Sequence, residues 1–290
     1  MRELRNISVV GLGLLGGSVA LAVQQRLPGS QVVGYSHRAS TRAKARDLGV
    51  AGRVADDLPA AVRDADLVLL ATPIFTFDRY FAELTTAVPD GCVITDVGST
   101  KVLPHQWAAS RLNRHGHYVG SHPVAGSEQK GIDFARDDLF DRSCCILTRT
   151  DKTNAGALRR LRRFWTALGC SVELMHPEQH DRVFANISHL PHVMAAGLVN
   201  ASDRHDMKFA GKGFLDSTRI ASGPATIWAD VLLGNSSNIA AGIDRVIAEL
   251  TKLQKAVRNG KKGQIEELLE AARKKRAALV KYKIRKKELL

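Results

Sequence analysis

The sequence predicts an α/β fold: a doubly wound parallel sheet followed by an all-helical domain. Three observations carry that prediction. Short β-rich runs alternate with helical patterns over the first 175 residues, the pattern of a parallel sheet with crossover helices. A glycine-rich loop closes the first of those runs. Beyond Pro177 the alternation stops and long helical patterns take over.

In the alternating half, strands are expected at residues 7–10, 31–35, 67–71, 92–96 and 118–121, with a further pair around 145–148 and 171–174. Between them residues 17–26, 40–48, 58–64, 75–85 and 155–168 read as helices. In the second half residues 177–200 read as one long helix, and 231–257 and 264–287 as two more. The last strand pattern gives way at Met175-His176-Pro177. The expected division is therefore a dinucleotide-binding domain over 1–175 and a helical substrate and dimerisation domain over 176–290.

Composition narrows the function classes. With 290 residues, 44% of them apolar, the chain can bury a substantial core in two domains. No run approaches the roughly 20 apolar residues of a membrane span, and the N-terminus enters a strand pattern at once, so the expected location is the cytoplasm. The net charge of +13 is concentrated at one end: residues 251–290 hold 14 Lys and Arg against 4 Glu. Leu268, Leu269, Ala272, Ala277, Leu279 and Val280 fall among those charges as one stripe of an amphipathic helix would, which reads as a solvated helix beside a subunit partner and not as a nucleic-acid surface. Cys92, Cys144, Cys145 and Cys170 lack the spacing of metal ligands and read as thiols inside the fold, so no metal site is expected.

The strand at 7–10 runs into Gly11-Leu12-Gly13-Leu14-Leu15-Gly16, and a helix follows at once. In that setting Gly11 permits the tight turn, Gly13 lets the backbone approach a pyrophosphate, and Gly16 allows close helix–strand packing. The helix N-terminus then offers N–H groups to the phosphates. This is the Rossmann-type dinucleotide loop, and it makes NAD or NADP the expected cofactor. The end of the second strand chooses between them, because NAD sites usually place an acid there for the ribose hydroxyl. Here the chain reads Tyr35-Ser36-His37-Arg38-Ala39-Ser40-Thr41, without a carboxylate. Ser36, Arg38 and Thr41 can all meet a 2′-phosphate, which favours NADP. The expected cofactor-binding set is Gly11, Gly13, Leu14, Leu15, Gly16, Ser36, Arg38, Thr41 and Thr72.

Two strand ends are unusually polar: Asp96-Val97-Gly98-Ser99-Thr100-Lys101 and Gly120-Ser121-His122-Pro123. In open α/β sheets reacting groups collect beyond the carboxyl ends of strands. His122 can hydrogen-bond a substrate hydroxyl and take its proton while hydride leaves the same carbon, so it is the candidate general base. Ser99 is placed to orient that hydroxyl or the imidazole.

Five ordered motifs now resemble one family. They are the glycine loop, Asp96-x-Gly98-Ser99-x-Lys101, Ser121-His122-Pro123-x-Ala125-Gly126-Ser127-Glu128, Ser188-His189-Leu190-Pro191-His192, and Gly213-Phe214-x-Asp216-x-Thr218-Arg219-Ile220-Ala221. Together they look like the prephenate dehydrogenases, a family that includes arogenate and cyclohexadienyl dehydrogenases. The resemblance implies oxidative decarboxylation of prephenate to 4-hydroxyphenylpyruvate, or the corresponding arogenate reaction, without a metal and in a homodimer. It gives Ser188, His189, His192 and Arg219 roles around the substrate, and makes Glu128 a gating or inter-subunit acid. Arg219 also makes sense by itself, because a guanidinium binds carboxylates bidentately and prephenate carries two. Trp228 could close the pocket or simply pack. Relatives with an appended regulatory domain suggest that this chain, ending after its basic helix, would have no such control. Two other readings differ in their demands. A β-hydroxyacid-type dehydrogenase would want a lysine in the helical domain, where Lys208 and Lys212 lack the expected setting. A nucleotide sensor with a nucleic-acid-binding tail would leave Ser99, His122 and Arg219 without a reason to occur together.

Overall fold

The alternation of the first half folds, in a computed structural model that describes residues 4–112, 116–125 and 129–285, into a six-stranded parallel sheet. Its strands are β1 (Asn6–Val10), β2 (Gln31–Tyr35), β3 (Arg53–Val54), β4 (Leu67–Leu70), β5 (Cys92–Asp96) and β6 (Gly116–Tyr118). They lie in the order β3-β2-β1-β4-β5-β6. Helices α1 (Leu14–Arg26), α2 (Ala39–Asp47), α3 (Leu58–Val62), α4 (Phe77–Ala87) and α5 (Val102–Arg111) connect them. Every residue of β4 and β5 is buried, as strands covered on both faces must be. One face carries Val19 and Val23 of α1 with Trp165 and Phe140; the other carries Phe77, Phe81 and Leu84 of α4. The strand order reverses between β1 and β4, which opens the crevice where such sheets take their ligands.

Two elements of this half lie outside the sequence expectation. β3 has only two residues, too few to show an alternation. α5 carries Pro104 in its first turn, where the missing N–H has no intrahelical partner to lose.

The strand expected over 118–121 is two strands in two sheets. Val119 N still donates to Ile94 O at 2.9 Å, and Thr95 Oγ1 donates to Val119 O at 2.7 Å. Then the chain leaves. β7 (Gly120–Pro123) pairs antiparallel with β8 (Cys144–Thr148), which pairs parallel with β9 (Ser171–Met175). The cause is tertiary: the buried Asp96 carboxylate, at the end of β5, accepts from Tyr118 Oη at 2.9 Å and from Ser121 N at 3.2 Å. A side chain at Gly120 would meet Thr148 Oγ1 at 2.5 Å, so only glycine passes here. Helix α6 (Ala155–Ala167) sends Trp165 under β7, its Nε1 donating to Ser121 Oγ at 3.0 Å. Cys92, Cys145 and Cys170 are buried and Cys144 is half-buried, and no disulfide joins them.

The long helix expected over 177–200 is interrupted. α7 (Pro177–Phe184) widens into a π-type turn at Ala185–His189 before α8 (Leu190–Ala201). Pro191 explains it, since its ring crowds the carbonyl four residues back and it cannot donate to it. After α9 (Lys212–Thr218) and a tight turn at Arg219–Ser222 comes α10 (Ala225–Gly234). The helix expected over 231–257 breaks at Asn235, whose φ of −135° and ψ of 32° precede α11 (Ser236–Arg258). Its side chain is used instead to donate to Asp181 O at 2.7 Å.

By contacts the chain divides into two compact units, 1–236 and 237–290, and α7 to α10 fall in the first. The second unit holds most of α11 and α12 (Lys262–Arg285), which are joined through Gly260 at φ +59°. Its surface pairs Lys252 with Glu249 and Arg273 with Glu270. Among the described residues no helix is long and apolar enough to cross a membrane.

Candidate active site

The nucleotide loop has the shape its glycines require. Gly11 sits at φ +102°, and a side chain there would strike the Ala71 carbonyl and approach Thr72 Cγ2 at 2.9 Å. A Cβ on Gly16 would run into the Gly11 carbonyl. Gly13 differs, having nothing within 4 Å of where its Cβ would be, and it caps α1 without a side-chain partner. Space beside exposed helix N–H groups fits a pyrophosphate. Leu14 and Leu15, half-buried, begin the helix below it, and no acid occupies its first turn. Thr72 Oγ1, at the end of β4, lies 2.7 Å from Thr76 Oγ1.

At the end of β2, Ser36 is buried and its Oγ accepts from Arg38 N at 3.4 Å. Arg38 is exposed and Thr41 half-buried on the first turn of α2. The structure adds Arg42, which the sequence reading passed over. Its Nη1 donates to the carbonyls of Ser36 at 2.8 Å and His37 at 3.2 Å, and its Nε lies 3.4 Å from Asp56 Oδ1. A guanidinium therefore stands beside the carboxyl end of β2.

His122 is buried on β7. Its Nδ1 lies 2.8 Å from Nε2 of His180, whose Nδ1 lies 2.8 Å from Asp181 Oδ1. Asp181 in turn accepts from Lys101 N at 2.7 Å and Val102 N at 2.9 Å, capping the start of α5 from α7. Phe184, four residues after His180, stacks on that ring at 4.4 Å and meets His122 at 4.5 Å. Burial, then His180 and Lys101, holds the His122 imidazole well below its ordinary value and so neutral. Burial likewise takes His180 down to about 2. Under β7, Lys101 Nζ forms a fully buried ion pair with Asp96, which also accepts from Gly98 N at 2.9 Å.

Of the other expected residues, His189 and His192 lie on the helical side and Ser99 in the segment after β5. His189 is fully buried, 3.3 Å from Asn235 Nδ2; burial takes it to about 4, and the Ser99 carbonyl beside it works the other way. Ser99 is thus brought to His189 as half-buried backbone, with Ser188 half-buried one residue before that ring. His192 stacks on Trp228 at 3.5 Å, three residues from His189. Burial lowers His192, against the Ile220 carbonyl. His189 Nε2, His192 Nδ1 and Thr100 Oγ1 are buried without a partner among the described residues, three polar atoms that invite a polar ligand. Arg219 is exposed, adjoining Ile220. Glu128 lies outside the described residues.

His180, Asp181, Asp96, Lys101, Asn235 and Arg42 were missing from the expected site. The first pair left a trace, since a polar His-Asp step sits on the face of α7 that also holds Phe184. A separate cavity of 310 Å³, lined by Asp66, Asp90, His117 and Arg160, opens at the amino ends of β4 and β5, the wrong end for a dinucleotide. Among the described residues no cluster of His, Cys, Asp or Glu could hold a metal ion.

Residues 19–174 match the family model described as the prephenate dehydrogenase nucleotide-binding domain, and 176–272 match the prephenate dehydrogenase dimerization domain. A cyclohexadienyl dehydrogenase of Zymomonas mobilis is 34% identical over 286 residues, 96% of this chain and 97% of its own. A prephenate dehydrogenase of Bacillus subtilis is 36% identical over 86% of this chain and 69% of its own. The crystal structure of prephenate dehydrogenase from A. aeolicus, in complex with hydroxyphenyl propionate and NAD+, superposes with a TM-score of 0.88 at 30% identity, covering 96% of this chain and 99% of that one. With both of its halves matched and 96% of its length covered, this chain belongs to the prephenate dehydrogenase family, the NAD(P)-dependent oxidoreductases whose sheet and helical domain it shares.

Proposed function

We propose that this chain catalyses the NAD(P)-dependent oxidative decarboxylation of prephenate to 4-hydroxyphenylpyruvate, with His122 as the base. The observation that carries the reading is a buried, neutral His122 beside the carboxyl end of β5, in a chain that also holds a glycine cradle and a group of buried polar atoms at His189 and His192.

A neutral imidazole can accept the proton of the ring hydroxyl. The O–H bond breaks, an N–H bond forms on His122, and the oxygen's electron pair passes into a carbonyl. Bound NAD(P)+ supplies the acceptor for the hydride leaving the same carbon. Departure of the ring carboxylate as carbon dioxide then restores aromaticity, and the phenolate takes back a proton. Ser99, Ser188, His189, His192 and Arg219 orient the substrate, with Arg219 meeting a carboxylate. Gly11, Gly13, Leu14, Leu15, Gly16 and Thr72 hold the dinucleotide, and Ser36, Arg38, Thr41 and Arg42 favour NADP because residues 36–41 carry no acid and the neighbouring Asp56 is paired with Arg42 and Arg46.

The same reading divides the chain into a dinucleotide domain over 1–175 and a substrate and dimerisation domain over 176–290, acting as a homodimer. Phe209, Leu215, Leu233, Leu250 and Leu269 are each more than half exposed, apolar surface that a twofold partner would cover. Light scattering at about twice the chain mass of 31.6 kDa is the expected result. The decisive assay is reduced-cofactor absorbance with prephenate or arogenate and with NAD or NADP. The cyclohexadienyl relative makes arogenate a worthwhile arm. Inactivity in all four combinations would refute the reading.

A further inference from the structure

The chain His122–His180–Asp181 has a direction that its hydrogen bonds dictate. Asp181 accepts from two backbone N–H groups at the start of α5, a ten-residue helix whose N-terminus favours a negative charge. Oδ1, the oxygen that takes the Lys101 N–H, also faces His180 Nδ1 at 2.8 Å. A carboxylate can only accept, so His180 carries its proton on Nδ1. Its Nε2 is then bare and must accept, which makes His122 Nδ1 the donor across the next 2.8 Å. Both imidazoles are neutral in this arrangement, and burial holds both low.

The geometry points to His180 and Asp181 as positioning residues that lock His122 in the tautomer protonated on Nδ1, leaving Nε2 as the basic nitrogen for the substrate hydroxyl. This rests on His122 being the base. The alternative tautomer would present an N–H where the reaction needs a lone pair. His122 is 8% exposed, so its ring is held almost entirely by protein and little but these contacts chooses the tautomer. Lys101, His189 and His105 face the pair from the neighbouring elements; they oppose a positive charge on His180 and so keep its Nε2 an acceptor. Lys101 is itself tied to Asp96. Nothing in the sequence neighbourhood of His122 supplies this constraint, for His180 lies 58 residues away.

The test reads the tautomer directly on the full-length, nitrogen-15-labelled protein by long-range proton–nitrogen correlation of histidine side chains. The His122 signals are assigned by their loss in His122→Asn. The expected spectrum shows Nδ1 protonated and Nε2 bare in both His122 and His180. A His122 protonated on Nε2 overturns the proposal, and this measurement needs no variant of the relay to fold. His180→Phe should move His122 toward the Nε2 tautomer and lower kcat by at least about 10-fold and by up to about 10⁴-fold, the loss met when a catalytic imidazole is held in the wrong tautomer. Its KM for the nicotinamide cofactor should stay unchanged. His180→Gln, whose amide oxygen reaches the place of Nε2, should recover part of that rate. A folded His180→Phe with wild-type kcat overturns the proposal. Because the tautomer is read without substrate, a wild type inactive on prephenate and arogenate strikes the assigned reaction and leaves the relay to be judged by the spectrum.

Discussion

Mild acid should unfold this protein before its carboxylates protonate. Burial is the first cause of the depression at four histidines: His105 and His189 fall to about 4, His180 to about 2, and His122 well below its ordinary value. In the unfolded chain each returns to about 6.5. A histidine with a depressed folded value binds its proton only when unfolded, so its contribution is intact above about pH 6.5 and is lost as pH falls toward the folded value. Each such group loses about 1.4 kcal/mol per pH unit. From about pH 6.5 to 5 that is about 2 kcal/mol apiece, or about 6 kcal/mol for His122, His180 and His189, with a smaller share from the half-buried His105. A whole domain is stable by only about 5–15 kcal/mol.

Other groups act in one direction or the other. Burial raises Asp181 against the pull of its two backbone donors, so its folded form gains as pH falls, one group acting in the opposite sense to the histidines. Asp56, Asp78 and Asp141, lowered by hydrogen bonds from Arg46, Arg111 and Arg26, lose their contributions only below about pH 4. Urea unfolding at fixed protein concentration, at about pH 7, 6 and 5, should therefore show a fall of about 4–7 kcal/mol or outright unfolding at the lowest value. His180→Gln should flatten the dependence by about a third. A fall under about 2 kcal/mol would refute the reasoning, since the histidines would then be taking up protons inside the folded protein.

His122→Asn should keep cofactor affinity and lower kcat by about 10²–10⁴-fold, measured as steady-state reduction of NAD(P); an unchanged kcat removes it as the base. Arg219→Ala should raise the KM for prephenate about 5- to 30-fold, the smaller end of a charge-assisted pair because the guanidinium is exposed. Ser36→Asp should shift the ratio of kcat/KM values toward NAD by placing an acid where Arg42 now bonds the Ser36 carbonyl; a wild type at least about tenfold better with NAD would end the NADP assignment.

What could be read from the sequence was local. The glycine loop, the strands flanking it and the helices behind them announce themselves within a dozen residues, because periodicity and turn chemistry act at that range. The misplaced elements have distant causes. Tyr118 and Ser121 part into different sheets because Asp96, 22 and 25 residues earlier, bonds to both. The helix through Asn235 breaks where its amide reaches Asp181, 54 residues away. The π-type turn before His192 was nearest to being legible, since Pro191 is in plain view. In the site, His122 stood out by its setting at a strand end, whereas His180 and Asp181 look like ordinary residues of a helix start until α7 is laid against β7 and α5.

The buried charges around His122 make better sense as orientation than as stability. Removing the Asp96 and Lys101 side chains from water costs about as much as their attraction returns, so an apolar pair of similar volume would serve the core as well. No apolar pair could do what Asp96 does with its remaining lone pairs. It holds Gly98 N in the segment that carries Ser99, Tyr118 Oη at the end of one sheet, and Ser121 N at the start of the next, beside His122. Asp181 acts the same way from the other side, fixing the start of α5 while it sets the direction of the histidine chain. Two buried carboxylates thus fix the backbone and the ring of one imidazole separately. Asp181→Asn can therefore leave a folded protein with a displaced base, a loss that would appear in kcat before it appeared in stability, whereas Asp96→Asn also strands the buried Lys101 charge and should lower stability by about 3–5 kcal/mol.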